Sequence, residues 1–450
     1  MKHSGHQRTI RDTKVTPKKS LGQNFLVDQN LARWIADQIE PDGADIVMEI
    51  GPGLGALTEH LTGRPRQLIL VEKDTQLAGA LTERFIGRDD VRLVHEDAAR
   101  MDLRPYYKHG GLRVIGNLPY SMGGEILKRV LTPPTPVTRA VFMLQKEVCD
   151  RLCAKLGDDA YGGLSLLVQK DWDVKLLRVV PPDVFKPKPK VDSAVVCFRP
   201  RAPGSLPVFD RAWFDRLLRM GFSQRRKQLK NLLPDAPGGW AALVEQLGVP
   251  LTVRAEELSL AQWVDVARWY EQRHDADRGQ KATEMFDVVN ERNEVTGQRP
   301  RGDVHAQDLL HRAVHVFVFN KHGEIYLQKR SHLKDVHPLV WDSSAAGHLE
   351  VGESYAACAL REVKEELGIE VPETHKVADV PAIERTGWEF VEVHSAQHNG
   401  PMRYAPDEIE TGEWFSPAEV TEWITARPQD FASGFIECWR AWEKERHGAP

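Results

Sequence analysis

An Asn-Leu-Pro-Tyr segment, Asn117 to Tyr120, follows Gly116 at the end of the predicted strand 112–115 and is suited to chemistry on a nucleobase amine. The Asn117 side-chain oxygen and the Leu118 carbonyl can accept hydrogen bonds from an exocyclic amino group as its nitrogen becomes tetrahedral. Pro119 lacks an N–H and stiffens the segment, and Tyr120 offers a face for stacking a base. The segment predicts a site that methylates an unstacked adenine, with an ordinary Asn-Pro loop as the alternative.

Three glutamates in the second half of the chain, Glu362, Glu365 and Glu366, form another candidate site. If residues 355–367 are helical, the three lie on one face, at i, i+3 and i+4. Crowded carboxylates repel one another unless a cation neutralises them, and hard oxygen ligands suit Mg²⁺ or Mn²⁺. The spacing predicts a divalent metal site, and a solvated acidic helix face is the alternative.

A glycine-rich turn, Gly51 to Gly55, follows the apolar residues 46–48 and precedes a segment with helical spacing. A turn of this kind at the end of a first strand binds nucleotides in α/β sheets. Glu72 falls about 20 residues further on, where a carboxylate can accept from both ribose hydroxyls. Asp97 follows the next strand and can accept from an adenine amino group. Together they favour an adenosine-containing cofactor over two solvated loop acids.

These residues must be positioned by a sheet, and the sequence predicts an α/β fold for the first part of the chain. Helical stretches separate five candidate strands, an alternation typical of a mostly parallel sheet covered on both faces. The predicted strands are 45–50, 67–71, 91–95, 112–115 and 140–144. From 209 to about 273 the pattern changes to helices, with apolar stripes that include Trp213, Leu217, Leu218 and Met220.

Composition excludes several classes of protein. The chain of 450 residues is 41% hydrophobic and 28% charged, as expected for a soluble protein of two to four domains. No apolar run approaches the ~20 residues of a membrane span. Its five cysteines make no disulfide framework, and residues 1–20 contain no secretory h-region. We therefore expect a cytoplasmic protein with no membrane partner.

Charge and composition also indicate where domains meet. Residues 1–275 have a net charge of +7 and residues 276–450 one of −12. The basic half suits a polyanion and the acidic half suits metal ions, although either sign can simply solvate a surface. The predicted organisation is a basic flexible arm at 1–20, a sheet domain at 21–205, a helical domain at 206–273, a polar linker at 274–282 and a last domain at 283–450.

Long stretches of the first part resemble one family. They are KKSLGQNFL at 18–26, EIGPGLGALT at 49–58, GNLPY at 116–120, MLQKEV at 143–148, YGGLSLLVQ at 161–169, VPPDVFKPKPKVDSAVV at 180–196 and FSQRRKQLKNLL at 222–233. Over about residues 14–272 the chain resembles the small-subunit ribosomal RNA adenine N6,N6-dimethyltransferases. The resemblance implies a Rossmann-like class I methyltransferase sheet followed by a small all-α domain that binds rRNA.

The resemblance also implies roles for individual residues. The positions that match contacts to S-adenosylmethionine are Asn24, Leu26, Gly51, Glu72, Asp97 and Asn117. Asn117, Leu118 and Tyr120 match the target-adenine site, and Phe185 resembles a second stacking face. One departure follows the motif, because Ser121-Met122-Gly123-Gly124 is richer in glycine than the family pattern.

The activity implied is transfer of methyl groups to N6 of two adjacent adenosines near the 3′ end of small-subunit rRNA, on the pre-ribosomal small subunit. Basic residues suited to the rRNA backbone are Lys186, Lys188, Lys190, Arg225, Arg226, Lys227 and Lys230. Two alternatives stay open. The first part could act as a non-catalytic ribosome-assembly or nucleic-acid-binding factor, or it could methylate a different adenine.

The second half contains a complete Nudix box, from Gly347 through Glu353 and the Arg361–Glu366 run to Ile369. Over about residues 283–445 it resembles the Nudix hydrolases, an α+β fold. In that family a divalent cation bound by the glutamates activates water against a diphosphate linkage. Glu362 could be a metal ligand or the general base. A distal ligand could come from Glu408, Glu410 or Glu413.

Flanking segments such as HRAVHVFVFN and WDSSAAGHL are similar to the Nudix branch related to isopentenyl-diphosphate isomerases. The cysteine-containing segment of the isomerases is absent, with Ser343-Ser344-Ala345-Ala346 in its approximate place. We therefore expect hydrolysis of a diphosphate-containing small molecule. An isomerase-like activity and a non-catalytic module are the alternatives, and the sequence does not specify the substrate.

Overall fold

The computed structural model describes residues 23–120, 122–271, 284–334 and 336–448. The chain forms two compact units. The first holds the described residues up to 271 except 208–210, and the second holds 208–210 and the described residues from 284 onward. The predicted basic arm at 1–20 and linker at 274–282 lie outside the described residues.

The first unit contains nine strands and nine α-helices among its described residues. The strands are β1 (Phe25–Leu26), β2 (Ile46–Ile50), β3 (Gln67–Val71), β4 (Val91–Val94), β5 (Leu112–Asn117), β6 (Val137–Gln145), β7 (Trp172–Val180), β8 (Phe185–Lys186) and β9 (Ser193–Pro200). The helices are α1 (Gln29–Gln38), α2 (Thr58–Leu61), α3 (Thr75–Arg84), α4 (Gly123–Leu131), α5 (Lys146–Cys153), α6 (Gly163–Gln169), α7 (Arg211–Gly221), α8 (Trp240–Leu247) and α9 (Leu260–Tyr270).

Seven of these strands form one sheet in the order β4-β3-β2-β5-β6-β9-β7. The first five are parallel to one another. Strand β9 pairs antiparallel with β6, and β7 pairs antiparallel with β9 at the edge of the sheet. This confirms the predicted Rossmann-like sheet. Because the strands β2, β3 and β5 end at the same edge, the segments that follow them meet there.

Alternate residues of the central strands enter two separate cores. Met48 and Val114 pack on one face of the sheet, and Val47 and Ile115 pack on the other. All five residues of β2 are buried. Burial on both faces explains why these strands read as continuous apolar runs rather than as alternating ones.

The helices α7, α8 and α9 follow the sheet, and α9 packs against both α7 and α8. In α7 the buried residues are Phe214, Leu217, Leu218 and Gly221, whereas Trp213 and Met220 of the predicted stripe are half-buried. The absence of a side chain at Gly221 leaves room for the indole of Trp263 against the helix.

The second unit contains a further nine strands and four α-helices among its described residues. The strands are β10 (Met285–Val289), β11 (Val295–Pro300), β12 (His311–Phe319), β13 (Ile325–Arg330), β14 (Trp341–Asp342), β15 (Ala345–His348), β16 (His375–Val380), β17 (Glu389–Gln397) and β18 (Ile409–Phe415). The helices are α10 (Arg301–Ala306), α11 (Tyr355–Leu367), α12 (Pro417–Ala426) and α13 (Ser433–Gly448).

Seven of these strands form a mixed sheet. Its main path is β14-β13-β12-β17-β16, with β15 paired to β12 and β18 to β13. Only β12 and β17 run parallel to each other among the described pairs. Helix α11 has the predicted bounds, and its apolar face, which includes Val363 and Leu367, packs in a core with the sheet residues Val314 and Val316. The predicted α+β fold is confirmed.

None of the helices that the structure describes is long and apolar enough to cross a membrane.

The close contact at Gly221 gives a test of the helical core. A Cβ at this position would lie 2.5 Å from the Trp263 ring and 2.9 Å from Leu229. We expect Gly221→Ala to lower the free energy of unfolding of the first unit by about 1–3 kcal/mol, because the packed ring must move. The measurement is denaturant unfolding followed by circular dichroism.

The matched control is Gly79→Ala in α3, where a Cβ would meet no atom within 4 Å. It should leave stability unchanged or raise it by up to about 1 kcal/mol, because alanine favours helix. Equal effects at the two glycines would contradict the packing argument.

Candidate functional site

The glycine turn after β2 has a backbone that favours glycine. Gly51, Gly53 and Gly55 have φ angles of 66°, 57° and 77°. L-residues with a Cβ rarely adopt this left-handed region. The turn therefore brings bare backbone to the edge of the sheet where β2, β3 and β5 end.

Two buried carboxyl groups lie beneath this turn. Glu72, directly after β3, accepts hydrogen bonds from the backbone N–H of Gly53 (3.2 Å) and of Asp74 (2.8 Å). Glu49, in β2, accepts from the Thr58 hydroxyl at 2.7 Å. No role was predicted for Glu49, although its place within an otherwise apolar strand was a usable signal.

Burial changes the acidity of both groups. Desolvation raises the pKa of Glu49 to about 8, despite the hydrogen bond from Thr58. It also raises the pKa of Glu72, and the backbone donors of Asp74 and Gly53 oppose that rise. A positive charge placed beside the two groups would favour their ionised forms.

The Asn-Leu-Pro-Tyr segment begins at the last residue of β5. The Asn117 side-chain amide donates to the Asn24 carbonyl at 3.0 Å, which orients the Asn117 side chain. Leu118 is 1% exposed, and its N–H donates to Met143 at 3.1 Å. The Tyr120 and Ser193 hydroxyls are hydrogen-bonded at 2.7 Å. Strand pairing and these bonds hold the segment against the sheet edge.

A cavity of about 180 Å³ lies at this edge. The structure brings together eight of the residues predicted for the cofactor and the target base, namely Asn24, Leu26, Gly51, Glu72, Asp97, Asn117, Leu118 and Tyr120. Gln23, Phe25, Glu49 and Met122 also line the cavity, although no contact with the cofactor or the base was predicted for them.

Asp97 lies on the cavity wall, and its carboxylate accepts two hydrogen bonds. It accepts from the Lys73 ammonium at 2.7 Å and from the Ala99 N–H at 3.1 Å. The bond from Lys73 holds the pKa of Asp97 below its ordinary value. Asp97 is thus an ionised acceptor at the cavity, as its predicted contact with an adenine amino group requires.

Phe185 is placed differently from the prediction. It pairs with Leu26 in the short β1–β8 ladder, is 2% exposed and belongs to the buried core on one face of the sheet. It is not among the residues that line the cavity. In this conformation the Phe185 ring has no open face for a base. Sequence position alone could not reveal that the ring points into the core.

In the second unit, α11 presents its glutamates unequally. Glu362 and Glu366 are buried, whereas the side chain of Glu365 is 60% exposed. A Cβ on Gly347 would overlap the Glu362 carboxylate, so this glycine makes space for it. Glu366 accepts from the Gln328 amide at 2.9 Å and from the Ala346 N–H at 3.1 Å.

Arg361 links this helix to the preceding loop. Its guanidinium donates to both oxygens of Glu353, at 3.0 and 2.9 Å. It also contacts Glu362 at 2.7 Å and Glu365 at 3.2 Å. One fixed cation therefore neutralises part of the carboxylate charge and fixes the position of α11.

The negative charge of Glu362 and Glu366 is poorly compensated by neighbouring cations. Burial, followed by repulsion from Glu366, raises the pKa of Glu362 to about 8. Burial raises the pKa of Glu366 as well, against the attraction of Lys334. Two buried carboxyl groups that resist ionisation together form an oxygen donor set that fits a divalent cation.

These glutamates line a cavity of about 380 Å³. Of the three candidates for a distal ligand, only Glu408 lines it, and Glu408 forms an ion pair with Lys334. Glu410 is hydrogen-bonded to the His332 ring at 3.0 Å. The cavity also carries cationic side chains, among them Arg330, Lys334 and Arg385.

The serines in place of the isomerase cysteine segment are buried and hydrogen-bonded. Ser343 bonds to the His315 ring at 2.6 Å, and Ser344 donates to the Tyr326 carbonyl and accepts from the Val318 N–H at 2.8 Å. Both hydroxyls are fully enclosed. They fix neighbouring strands, and neither is positioned as a nucleophile open to the cavity.

Fold and cavity define the first unit as a Rossmann-like methyltransferase, with a nucleotide-binding turn and an Asn-Leu-Pro-Tyr corner at one sheet edge. Residues 15–272 match the family model of ribosomal RNA adenine dimethylase, and residues 309–433 match the NUDIX domain model. The chain belongs to the ribosomal RNA adenine dimethylase family and carries a fused NUDIX domain. It is an enzyme of the methyltransferase class.

The chain is also similar to individual proteins. A ribosomal RNA small subunit methyltransferase A from Haemophilus ducreyi is 38% identical over 274 residues, which cover 60% of this chain and 91% of that protein. One from Geobacter metallireducens is 40% identical over 269 residues, covering 58% and 97%. A crystal structure of the 23S rRNA methyltransferase ErmE is 26% identical, with a TM-score of 0.47, covering 55% of this chain and 100% of that chain.

The raised pKa of Glu49 predicts a pH dependence of stability. The folded pKa of Glu49, about 8, lies above the ordinary value of 4.5 for a glutamate. The resulting stabilisation is complete below pH 4.5 and is lost as the pH rises through 8. We expect Glu49→Gln to reduce this decline by up to about 1.4 kcal/mol per pH unit. The measurement is urea unfolding of the cofactor-free chain between pH 5 and pH 9.

The control for this experiment is Glu83→Gln, which removes an exposed carboxyl group from α3. It should reproduce the wild-type pH profile. A Glu49→Gln profile as steep as that of the wild type would show that Glu49 is already ionised in the folded chain.

Proposed function

We propose that the first unit dimethylates N6 of two adjacent adenosines near the 3′ end of small-subunit rRNA, with S-adenosylmethionine as cofactor. The observation that carries the proposal is that the Asn-Leu-Pro-Tyr corner and the glycine turn line one cavity. Family membership supports both the cofactor and an rRNA substrate. The names of the small-subunit methyltransferase relatives favour that subunit.

The cavity suits a cationic adenosyl cofactor. Glu49, Glu72 and Asp97 all line it, and an anionic wall favours the sulfonium and ammonium groups of S-adenosylmethionine. We assign the ribose hydroxyls to Glu72 and the adenine amino group to Asp97, with Asn24, Leu26 and Gly51 enclosing the cofactor. The cofactor supplies an electrophilic methyl group.

The target adenine is proposed to bind at the Asn117 corner. The Asn117 side-chain oxygen and the Leu118 carbonyl accept hydrogen bonds from the amino group, which they favour most strongly as the nitrogen becomes tetrahedral. Tyr120 stacks on the base. No strong base is needed for methyl transfer, because the methylated ammonium loses its proton readily. Catalysis then rests on the position of the adenine and on hydrogen-bond acceptors matched to the transition state.

The rRNA backbone is proposed to contact exposed basic residues. Those that the structure describes as exposed are Lys186, Lys188, Lys190, Arg225, Arg226, Lys227 and Lys230. Arg225 donates to the Asp159 carbonyl at 2.8 Å, which ties its segment to the residues before α6. Contacts of this kind make affinity depend steeply on salt. An rRNA substrate agrees with the expected cytoplasmic location.

We propose that the NUDIX domain hydrolyses a diphosphate-containing small molecule with Mg²⁺ or Mn²⁺. Glu362, Glu365 and Glu366 would hold the cation, which neutralises charge and activates water. The support is the pair of buried, mutually repelling carboxyl groups on α11. The cationic residues on the same cavity suit the phosphates, and the buried serines favour hydrolysis over isomerisation.

Asn117→Ala should abolish methyl transfer while leaving the first unit folded. Loss of the acceptor should lower kcat by about 10²–10³-fold, whereas loss of the bond to Asn24 should cost about 1 kcal/mol of stability. The measurement is transfer of labelled methyl groups from S-adenosylmethionine to unmethylated small subunits. The matched control is Asn30→Ala, an exposed asparagine in α1. Near-normal turnover by Asn117→Ala would refute the role.

Glu362→Gln should separate metal binding from folding in the second unit. Removing one of two repelling carboxyl groups should stabilise the unit at pH 9 without metal, while phosphate release from a panel of diphosphates with Mg²⁺ falls by at least about 100-fold. Glu370→Gln, at an exposed position just after α11, is the control. Unchanged hydrolysis in Glu362→Gln would contradict the assignment.

A further inference from the structure

The first turn of α13 lines the same cavity as the Nudix glutamates. Ala432, Ser433, Gly434 and Phe435 all lie on the cavity wall. The Ile436 N–H donates to the Ala432 carbonyl at 3.2 Å, so the N–H groups of the three residues between them have no acceptor within the helix. With sixteen residues, α13 is also long enough for its dipole to favour an anion at this end.

A buried histidine points at this turn from the neighbouring sheet. His315, in β12, is 7% exposed and also lines the cavity. A Cβ on Gly434 would lie only 3.8 Å from His315 Nε2. The other ring nitrogen, Nδ1, is bonded to the Ser343 hydroxyl at 2.6 Å, whereas Nε2 has no hydrogen-bond partner in the part of the chain that the structure describes. The ring nitrogen and the helix terminus therefore meet at one place on the wall.

The Ser343 hydroxyl determines which nitrogen of His315 carries the proton. Ser343 is fully buried, and among the described residues its hydroxyl has no acceptor other than His315 Nδ1. A buried hydroxyl that did not donate would leave a polar hydrogen unsatisfied. We therefore assign the hydroxyl as the donor to Nδ1, which places the proton of the neutral ring on Nε2. The Nε2–H group is then a donor that faces the cavity.

The acid beside the ring is neutralised by a cation. Asp342 Oδ1 lies 3.8 Å from His315 Nδ1, and the Arg330 guanidinium pairs with the other oxygen of Asp342 at 3.0 Å. Asp342 also accepts from the Ser343 N–H at 2.7 Å. An anion on the Nε2 side of the ring therefore meets hydrogen-bond donors without an uncompensated negative charge from Asp342.

The wall behind these donors is closed. Phe435 is fully buried and Ala432 is 4% exposed. The Phe435 ring packs on Phe317 and Phe431, with centroid distances of 5.9 and 5.5 Å. A tetrahedral anion held by the Nε2–H group and the helix terminus has room for a substituent only on its open side, toward the cavity that Glu362 also lines.

We propose that His315 and the first turn of α13 bind the terminal phosphate of the Nudix substrate. This assignment rests on the proposed hydrolysis of a diphosphate, and it narrows the substrate class to compounds that end in a free phosphate. Diphosphates substituted at both ends, such as dinucleotides, have no such group. The His315 side chain and the backbone N–H groups donate to the phosphate oxygens, and the linkage to the next phosphate points into the cavity, where the cation is expected.

The test compares the binding of methyl phosphate and dimethyl phosphate to the full chain. Methyl phosphate models a terminal phosphate, and dimethyl phosphate models a phosphate linked on both sides. A chelator is present, so that no cation bridges the anion to the glutamates, and binding is followed by phosphorus NMR line broadening. We expect the wild type to bind methyl phosphate at least about 10-fold more tightly, because its free oxygens accept more hydrogen bonds.

Two amide substitutions at His315 form a matched pair. The side chain of His315→Asn is long enough to reach Ser343 but not to replace Nε2, whereas the longer side chain of His315→Gln can place an N–H near the Nε2 position. We expect His315→Asn to weaken methyl phosphate binding by at least about 10-fold and His315→Gln to remain within about threefold of the wild type. His375→Asn, at an exposed histidine of β16, should bind as the wild type does.

Hydrolysis provides a second readout. With Mg²⁺ and a diphosphate that ends in a free phosphate, His315→Asn should raise KM by at least about 10-fold with little change in kcat, because the terminal phosphate is bound equally before and during the reaction. Loss of hydrolysis in a wild type that still prefers methyl phosphate would contradict the proposed hydrolysis and support the phosphate subsite.

Three results would overturn the phosphate subsite. They are absence of methyl phosphate binding by the wild type, equal affinity for the two esters, and unchanged affinity in a folded His315→Asn variant. Circular dichroism checks the fold of each variant. If a substitution at His315 unfolds the second unit, the comparison of the two esters on the wild type still decides, because it needs no variant.

Discussion

A carboxylate removed from water must be surrounded by donors or cations, and this constraint governs both cavities. In the first unit Glu72 lies between two backbone N–H groups, and Glu49 relies on one hydroxyl. In the second unit Arg361 serves Glu353, Glu362 and Glu365 together, and Glu366 has a side-chain amide and a backbone N–H. The deficit of positive charge lies in each case at the cavity, where a cationic ligand or a metal ion is expected.

Much of the architecture could be predicted from local patterns. The five parallel strands are apolar runs bounded by turns, and α11 has the bounds that its spacing predicts. Eight residues assigned to the methyltransferase site share one cavity, because the parallel strands β2, β3 and β5 end at the same edge. In these segments the local sequence pattern favours the same strand or helix that the packing of the folded chain requires.

Other features depend on contacts between distant segments. The outer strands β7 and β9 were not predicted, and β7 has an exposed face that gives it a mixed pattern. Phe185 is an aromatic residue in a matching motif, but its pairing with Leu26 turns it into the core. Three histidines, His305, His311 and His348, come together from α10, β12 and β15, so only the sheet topology reveals that they are neighbours.

The sheet order β6-β9-β7 has a consequence for the growing chain. Strand β9 follows β7 in sequence yet lies between β6 and β7, so β7 has no place in the sheet until Ser193–Pro200 has been synthesised. The segment Asn24–Leu26, which lines the cofactor cavity, likewise gains its partner strand only when Phe185–Lys186 emerges. A nascent polypeptide shorter than about 185 residues therefore lacks the strand that anchors this wall, and assembly of the cavity is timed by translation of the last third of the unit.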